Sequence, residues 1–220
     1  MKNSLGPITA YNPPSMAALQ NYDVNRAGQH EVIWQPLYDY QVYPTTGQAQ
    51  FVFFQNTIGL GGLTLANTNM EAAGQMPKPK EFLCTGIQVY YRPGNAVSIS
   101  QGAAGTPQRN WIDVNQVMQG LGWLVFFIGS KDYLRDSPLA KFTQQFRLDG
   151  AAAITGAGTV ATTDFVDYAV HCGRYYSITP VKLPSNQNFN VSINFNALVT
   201  TTVAGRIGVI LDGFQYRLSQ

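Results

Sequence analysis

Residues 188–196 read Asn188-Phe189-Asn190-Val191-Ser192-Ile193-Asn194-Phe195-Asn196, apolar at every odd position and small and polar at every even one. A period of two belongs to a β-strand with one buried and one wet face; at helical spacing these residues would scatter around the whole circumference. The turn formers Pro184, Ser185, Asn186 and Gln187 precede the stretch, and another apolar segment, 176–183, precedes them. Two strands joined by a short polar turn make a hairpin of a sandwich or barrel.

The same idiom upstream and downstream predicts eight strands, over 31–43, 48–56, 82–92, 121–129, 142–148, 174–183, 188–197 and 206–218. The first places Val32, Trp34, Tyr38, Tyr40 and Val42 on its even face, and Pro36 within it indicates a sheet edge or a bulge. Phe51, Val52, Phe53 and Phe54 read as buried on both faces, while Leu83, Thr85, Ile87, Val89 and Tyr91 share one face of the third strand. The run 121–128 is the most apolar and is expected at the centre of a sheet. In the last strand the apolar residues switch from Ile207, Val209 and Leu211 to Phe214, Tyr216 and Leu218, so a β-bulge is expected at Asp212-Gly213. Thr106-Pro107 has the form of an N-cap followed by proline at the first helical position. With Trp111, Val114, Met118 and Leu121 at helical spacing behind it, one short helix is predicted over 107–119, as a lid on the sandwich end. Two long connections remain, 59–80 and 149–170, and the charge-dense 130–137 reads as a loop or one helical turn. Strands and helices do not alternate, which argues against a parallel α/β sheet. Residues 1–29 are polar and aperiodic and are expected to form an N-terminal arm, followed by a single domain over 30–220.

Composition narrows the function. Charged residues make up 12% of the 220-residue chain, about half the usual share of roughly 25%. Amides and hydroxyls take their place on the strand faces, and a surface so poor in charge is weakly protected against self-association. A net charge of +2 gives no basis for strong nucleic-acid binding. No stretch approaches the roughly 20 apolar residues of a membrane-spanning helix, and the first residues lack the apolar segment of a secretory signal, so none is expected. His30 and His171 sit in no metal-binding spacing, and His171-Cys172 as strand neighbours would point to opposite faces. Cys84 and Cys172 are expected as buried free thiols, with a pairing left open. No nucleophile elbow or phosphate loop occurs, and Asp164 with Asp167 is a chance carboxylate pair rather than a glycosidase dyad. No catalytic residue, cofactor or metal is therefore expected.

Three segments carry a family resemblance. Residues 178–191, an apolar strand, a Pro/Asn/Gln turn and an alternating strand, look like a hairpin that recurs near the end of jelly-roll coat proteins. Pro77-Lys78-Pro79-Lys80-Glu81-Phe82-Leu83 running into Ile87-Gln88-Val89 is similar to a coat-protein strand of tailless icosahedral phages, and the closing Leu211-Asp212-Gly213-Phe214-Gln215-Tyr216-Arg217 also fits those chains. The pattern as a whole resembles a viral jelly roll. Such phages often use a double jelly roll of sixteen strands, and this chain has room for about half that number, so the resemblance implies a single jelly roll or a very compact double one.

The expectation is an all-β, eight-stranded antiparallel jelly-roll sandwich with one short helix in a loop. Its implied role is a structural, non-enzymatic capsid subunit in the virion, assembling with copies of itself as a trimer or higher form and with other capsid proteins. The alternative is a carbohydrate- or receptor-binding sandwich of a phage particle, working through its long loops. Lys131, Asp132, Arg135 and Asp136 concentrate both signs of charge in a chain otherwise short of it. They are the candidate assembly contacts, because complementary charges set register and partner choice.

Overall fold

The computed structural model describes residues 30–93, 109–142, 146–148, 151–154, 162–165, 168–170, 175–201 and 204–218. The expected arm at 1–29 lies outside them, as do Thr106, Pro107, His171 and Cys172. Among the described residues there are thirteen strands and one α-helix, rather than eight strands.

Two antiparallel sheets face each other across one core. In the first, β1 (His30–Trp34) and β2 (Leu37–Tyr43) lie end to end along β13 (Gly205–Leu218). Strand β13 pairs on its other side with β4 (Glu81–Arg92), and β4 with β11 (Tyr176–Leu183). The expected first strand is thus an edge strand in two pieces, interrupted where Pro36 has no N–H to give. Its even face is not the core face. Leu37, Asp39 and Tyr43 point inward, whereas Val42 is 72% exposed and Trp34 54%. Both faces of this segment carry aromatics, so alternation alone does not distinguish inside from outside.

The bulge expected at Asp212-Gly213 is present, but the extra residue belongs to the partner strand. Asp212 pairs with Gly86 and Gly213 with Cys84, leaving Thr85 over. An inserted residue reverses every later side chain. Phe82 and Cys84 on one side of the bulge and Ile87, Val89 and Tyr91 on the other all face the main core. Leu83 belongs instead to a separate cluster with Val32, Phe214 and Tyr216. This corrects the single face assigned to Leu83, Thr85, Ile87, Val89 and Tyr91.

The second sheet runs β3 (Gln50–Phe53), β12 (Phe189–Phe195), β5 (Gly122–Ile128), β6 (Lys131–Asp136). Strand β12 is central, and Phe189, Val191, Ile193 and Phe195 are at most 5% exposed. Phe51 and Phe53 are buried as expected, but Val52 is 36% exposed; Phe54 turns inward only because its φ is +69°. The charge-dense segment 130–137 is edge strand β6 rather than a loop. Gly129, at φ +59°, and Ser130 turn the chain so that Lys131 pairs with Ile128. Charged side chains on an edge strand obstruct unwanted strand pairing, and they also hide the strand from hydrophobic periodicity.

Helix α1 (Arg109–Gln119) sends Val117 and Met118 into the core and packs on β4, β5 and a 3-10 turn at Leu139–Phe142. Leu121, expected on its buried face, follows the helix end and is 74% exposed. The expected strand at 142–148 is this turn followed by β7 (Phe146–Leu148). The connection expected at 149–170 contains β8 (Ala151–Ile154), β9 (Thr162–Phe165) and β10 (Tyr168–Val170), paired as β8–β9 and β7–β10. Ala and Thr give those strands no contrast between faces. Aromatic rings lock the two sheets together: Tyr43 stacks on Phe51 at 5.2 Å and meets Tyr91 and Phe195 edge-on at 5.5 and 6.2 Å.

Candidate assembly surfaces

The sandwich has two lateral sides. On one, the segment after β3 folds back over the edge of β2. Asn69 N donates to Tyr38 O (3.3 Å), Tyr40 N donates to Asn67 O (2.9 Å), and Tyr38 N donates to Asn69 Oδ1 (2.9 Å). This covers an edge that would otherwise offer free backbone groups. Thr68, Met70 and Met76 are buried beneath the segment, whereas Ile58, Leu60 and Leu65 at its tip are 41%, 57% and 64% exposed. Gly59, Gly61 and Gly62 around them all have positive φ, so the tip geometry depends on glycine.

On the opposite side the described residues leave two strand edges unpaired, because β6 pairs only with β5 and β11 only with β4. Between the edges lies a cleft of about 590 Å³ lined by Phe126, Tyr133, Leu134, Tyr176, Ile178 and Val181 among others. The β11 ladder breaks between Ser177 and Val181, and the looped-out Ile178, Thr179 and Pro180 form one wall.

The four candidate contact residues sit at this cleft's β6 side, but they are not equivalent. Asp132 and Arg135 form an exposed ion pair at 3.0 Å, and Lys131 is exposed. Asp136 is engaged within the subunit. It accepts from Lys141 Nζ (2.7 Å), from Ser137 N (2.7 Å) and from Tyr176 OH (3.2 Å). The Lys141 hydrogen bond, helped by Ser137 N, holds its carboxyl below the usual range. Only Lys131, Asp132 and Arg135 therefore present their charges outward. The rim charge on β11, Lys182, pairs with the buried Glu81 at 3.0 Å.

The outer face of the first sheet carries a row of half-buried tyrosines that sequence reading placed on a strand but not on an outer surface. Tyr40 lies 5.6 Å from Tyr38 and edge-on to Tyr90 at 5.5 Å, with the Arg206 guanidinium 4.1 Å from its ring centre. Gly208 makes room for the row: a Cβ there would lie 2.0 Å from the Tyr40 ring.

Inside the sandwich, Asp39 was missed by sequence reading because it resembles an ordinary polar strand residue. It is 1% exposed, and its Oδ2 accepts the Phe54 N–H at 2.7 Å, fixing the residue that leads into the covering segment. Burial pushes its pKa up to about 6, against hydrogen bonds from Phe54 N, the Gln41 side chain and Tyr40 N. A folded pKa above the unfolded value means the folded state holds the proton more tightly. The stabilising contribution is then complete below about pH 4 and lost as pH rises through 6. Asp39→Asn should remove this slope and raise stability above pH 7 by at most about 3 kcal/mol relative to its effect at pH 4. Asp39→Ala, which leaves Phe54 N unsatisfied, should cost about 1–3 kcal/mol. Urea unfolding of the three proteins from pH 4 to 8 measures both, and parallel curves for wild type and Asp39→Asn would refute the assignment.

Among the described residues no group of three or more His, Cys, Asp or Glu side chains could hold a metal ion, and no helix is long and apolar enough to cross a membrane. His30 lies in β1, Asp164 in β9, and Cys84 is buried with its thiol donating to Gly86 O at 3.4 Å. Burial pushes that thiol's pKa far up, which disfavours the nucleophilic thiolate. The molecule belongs to the all-β sandwich class. Compared with known proteins, the chain matches no family model, no curated protein and no solved structure.

Proposed function

We propose that this chain is the jelly-roll structural subunit of an icosahedral virus capsid. It assembles with copies of itself and with other capsid proteins into the virion shell, and it performs no catalysis. In this reading residues 30–220 are the body and residues 1–29 an assembly arm.

The order of the strands carries the reading. Because β1 and β2 run end to end along β13, they count as one interrupted strand, and each main sheet then has four positions. Numbered in chain order, the sheets run 1-8-3-6 and 2-7-4-5. Position 4 pairs with 5, 3 with 6, 2 with 7 and 1 with 8, the nesting produced by rolling up one long hairpin. That nesting is the hallmark of a jelly roll, a fold of viral capsids but also of lectins and cupins. Within that set, the low charge and the exposed apolar groups on both lateral sides favour a surface covered by neighbours.

The tyrosine row with Arg206 supports a second reading, a glycan-binding sandwich, since aromatic faces with polar tips suit sugar rings. Size-exclusion chromatography with light scattering, run beside a glycan array, separates the two. Trimers or larger particles with no glycan binding are expected; a monomer that binds glycans through Tyr40 and Tyr90 would replace the capsid reading.

A further inference from the structure

We propose that the apolar tip of the segment after β3, carrying Ile58, Leu60 and Leu65, inserts into the β6–β11 cleft of a neighbouring copy. This rests on the self-assembly reading above and names the contact it would use. The tip is aliphatic and exposed; the cleft is concave and walled by Phe126, Leu134, Tyr176, Ile178 and Val181. The two lie on opposite lateral sides of the sandwich, since the tip segment is bonded to the edge strand β2, whereas β6 and β11 form the other edges. One copy can therefore offer its tip to a neighbour while its own cleft receives another. Such a head-to-tail contact propagates, and it closes into a ring when the rotation between copies allows.

Charge is matched in the sense that matters for burial. Residues 57–70 contain no Asp, Glu, Lys or Arg. The rim charges Lys182, Arg135 and Asp136 are satisfied within the subunit by Glu81, Asp132 and Lys141, while Lys131, the exposed first residue of β6, does not line the cleft. An uncharged insert meeting internally paired charges leaves no ion stranded. The area is informative too. Three half-exposed aliphatic side chains fall well short of the roughly 800 Å² per partner of a stable pair. The contact should be weak between two copies and hold only when repeated around a closed assembly.

The test uses two variants of the full chain: a tip variant, Ile58→Asp/Leu60→Asp/Leu65→Asp, and a cleft variant, Tyr133→Asp/Thr179→Asp. All five side chains are exposed, so circular dichroism and melting should match wild type. Burying an uncompensated charge should raise the concentration needed for assembly by about tenfold or more in each variant alone. Mixed, the two variants retain one intact contact, the cleft of the first with the tip of the second, which cannot close a ring, so nothing larger than a weak, concentration-dependent heterodimer should form. Wild-type levels of assembly by either variant, or loss on deleting residues 1–25 while the tip variant still assembles, would overturn the proposal in favour of another contact or another occupant. A wild-type chain that stays monomeric at every concentration would defeat the capsid reading itself, so the two failures are distinguishable.

Discussion

Ile193→Ala is expected to destabilise the domain by about 2–5 kcal/mol. Ile193 is fully buried in β12, the strand flanked by β3 and β5. Its side chain sits at the sheet centre within the common core, so surrounding groups cannot collapse into the void without disturbing two ladders. Substituting Asn190 or Asn194 by Ser, on the opposite face, should cost under about 0.5 kcal/mol. Urea unfolding of the three variants decides the matter, and greater sensitivity at the asparagines would invert the face assignment.

Gly213→Ala should be nearly as severe, for a reason unrelated to hydrophobic burial. A Cβ at Gly213 would lie 2.0 Å from Leu83 O and 2.9 Å from the Phe82 ring. Leu83 O is backbone in β4, which is hydrogen-bonded on both sides, so it cannot retreat without breaking a ladder. The surrounding bulge is clamped as well: Asp212 Oδ1 accepts from Trp34 Nε1 (2.7 Å) and from Gly213 N (3.0 Å), and Thr85 Oγ1 donates to Asp212 O (3.3 Å). Overpacking of this kind costs about 3 kcal/mol. Gly61→Ala is the control, because its Cβ would meet nothing within 4 Å and only its φ of +59° opposes the change; it should cost about 1 kcal/mol. Equal losses at the two sites would show that the close approach at the bulge does not constrain the fold.

These residues also mark what a reader of the sequence can and cannot see. Strand β12 is legible because its two faces differ in kind, phenylalanine and aliphatics against asparagine and serine. The Asp212-Gly213 switch is legible for the same reason, since apolar residues change parity there. Which strand bears the extra residue is not legible, because that depends on the register between β13 and β4, a pairing of distant segments. Edge strand β6 is hidden by the charges that protect it. Tyr38 and Tyr40 of β2 suggest a core face but cover the outside, where Gly208, on a strand far along the chain, makes room for the Tyr40 ring. The candidate contact charges were found from local density alone, yet Asp136 is paired with Lys141 and hydrogen-bonded by Tyr176, the latter 40 residues away. The cleft was not legible at all. It arises where two sheet edges meet and where Ile178, Thr179 and Pro180 leave their ladder.

The central claim is that the chain exists to assemble, and sedimentation velocity of the purified full-length protein across a concentration series, with negative-stain images of each fraction, tests it most directly. Monomers or small rings are expected at low concentration and, above a threshold, the cooperative appearance of closed particles of uniform size. A single monomer boundary at all concentrations, or open filaments of indefinite length, would contradict that claim.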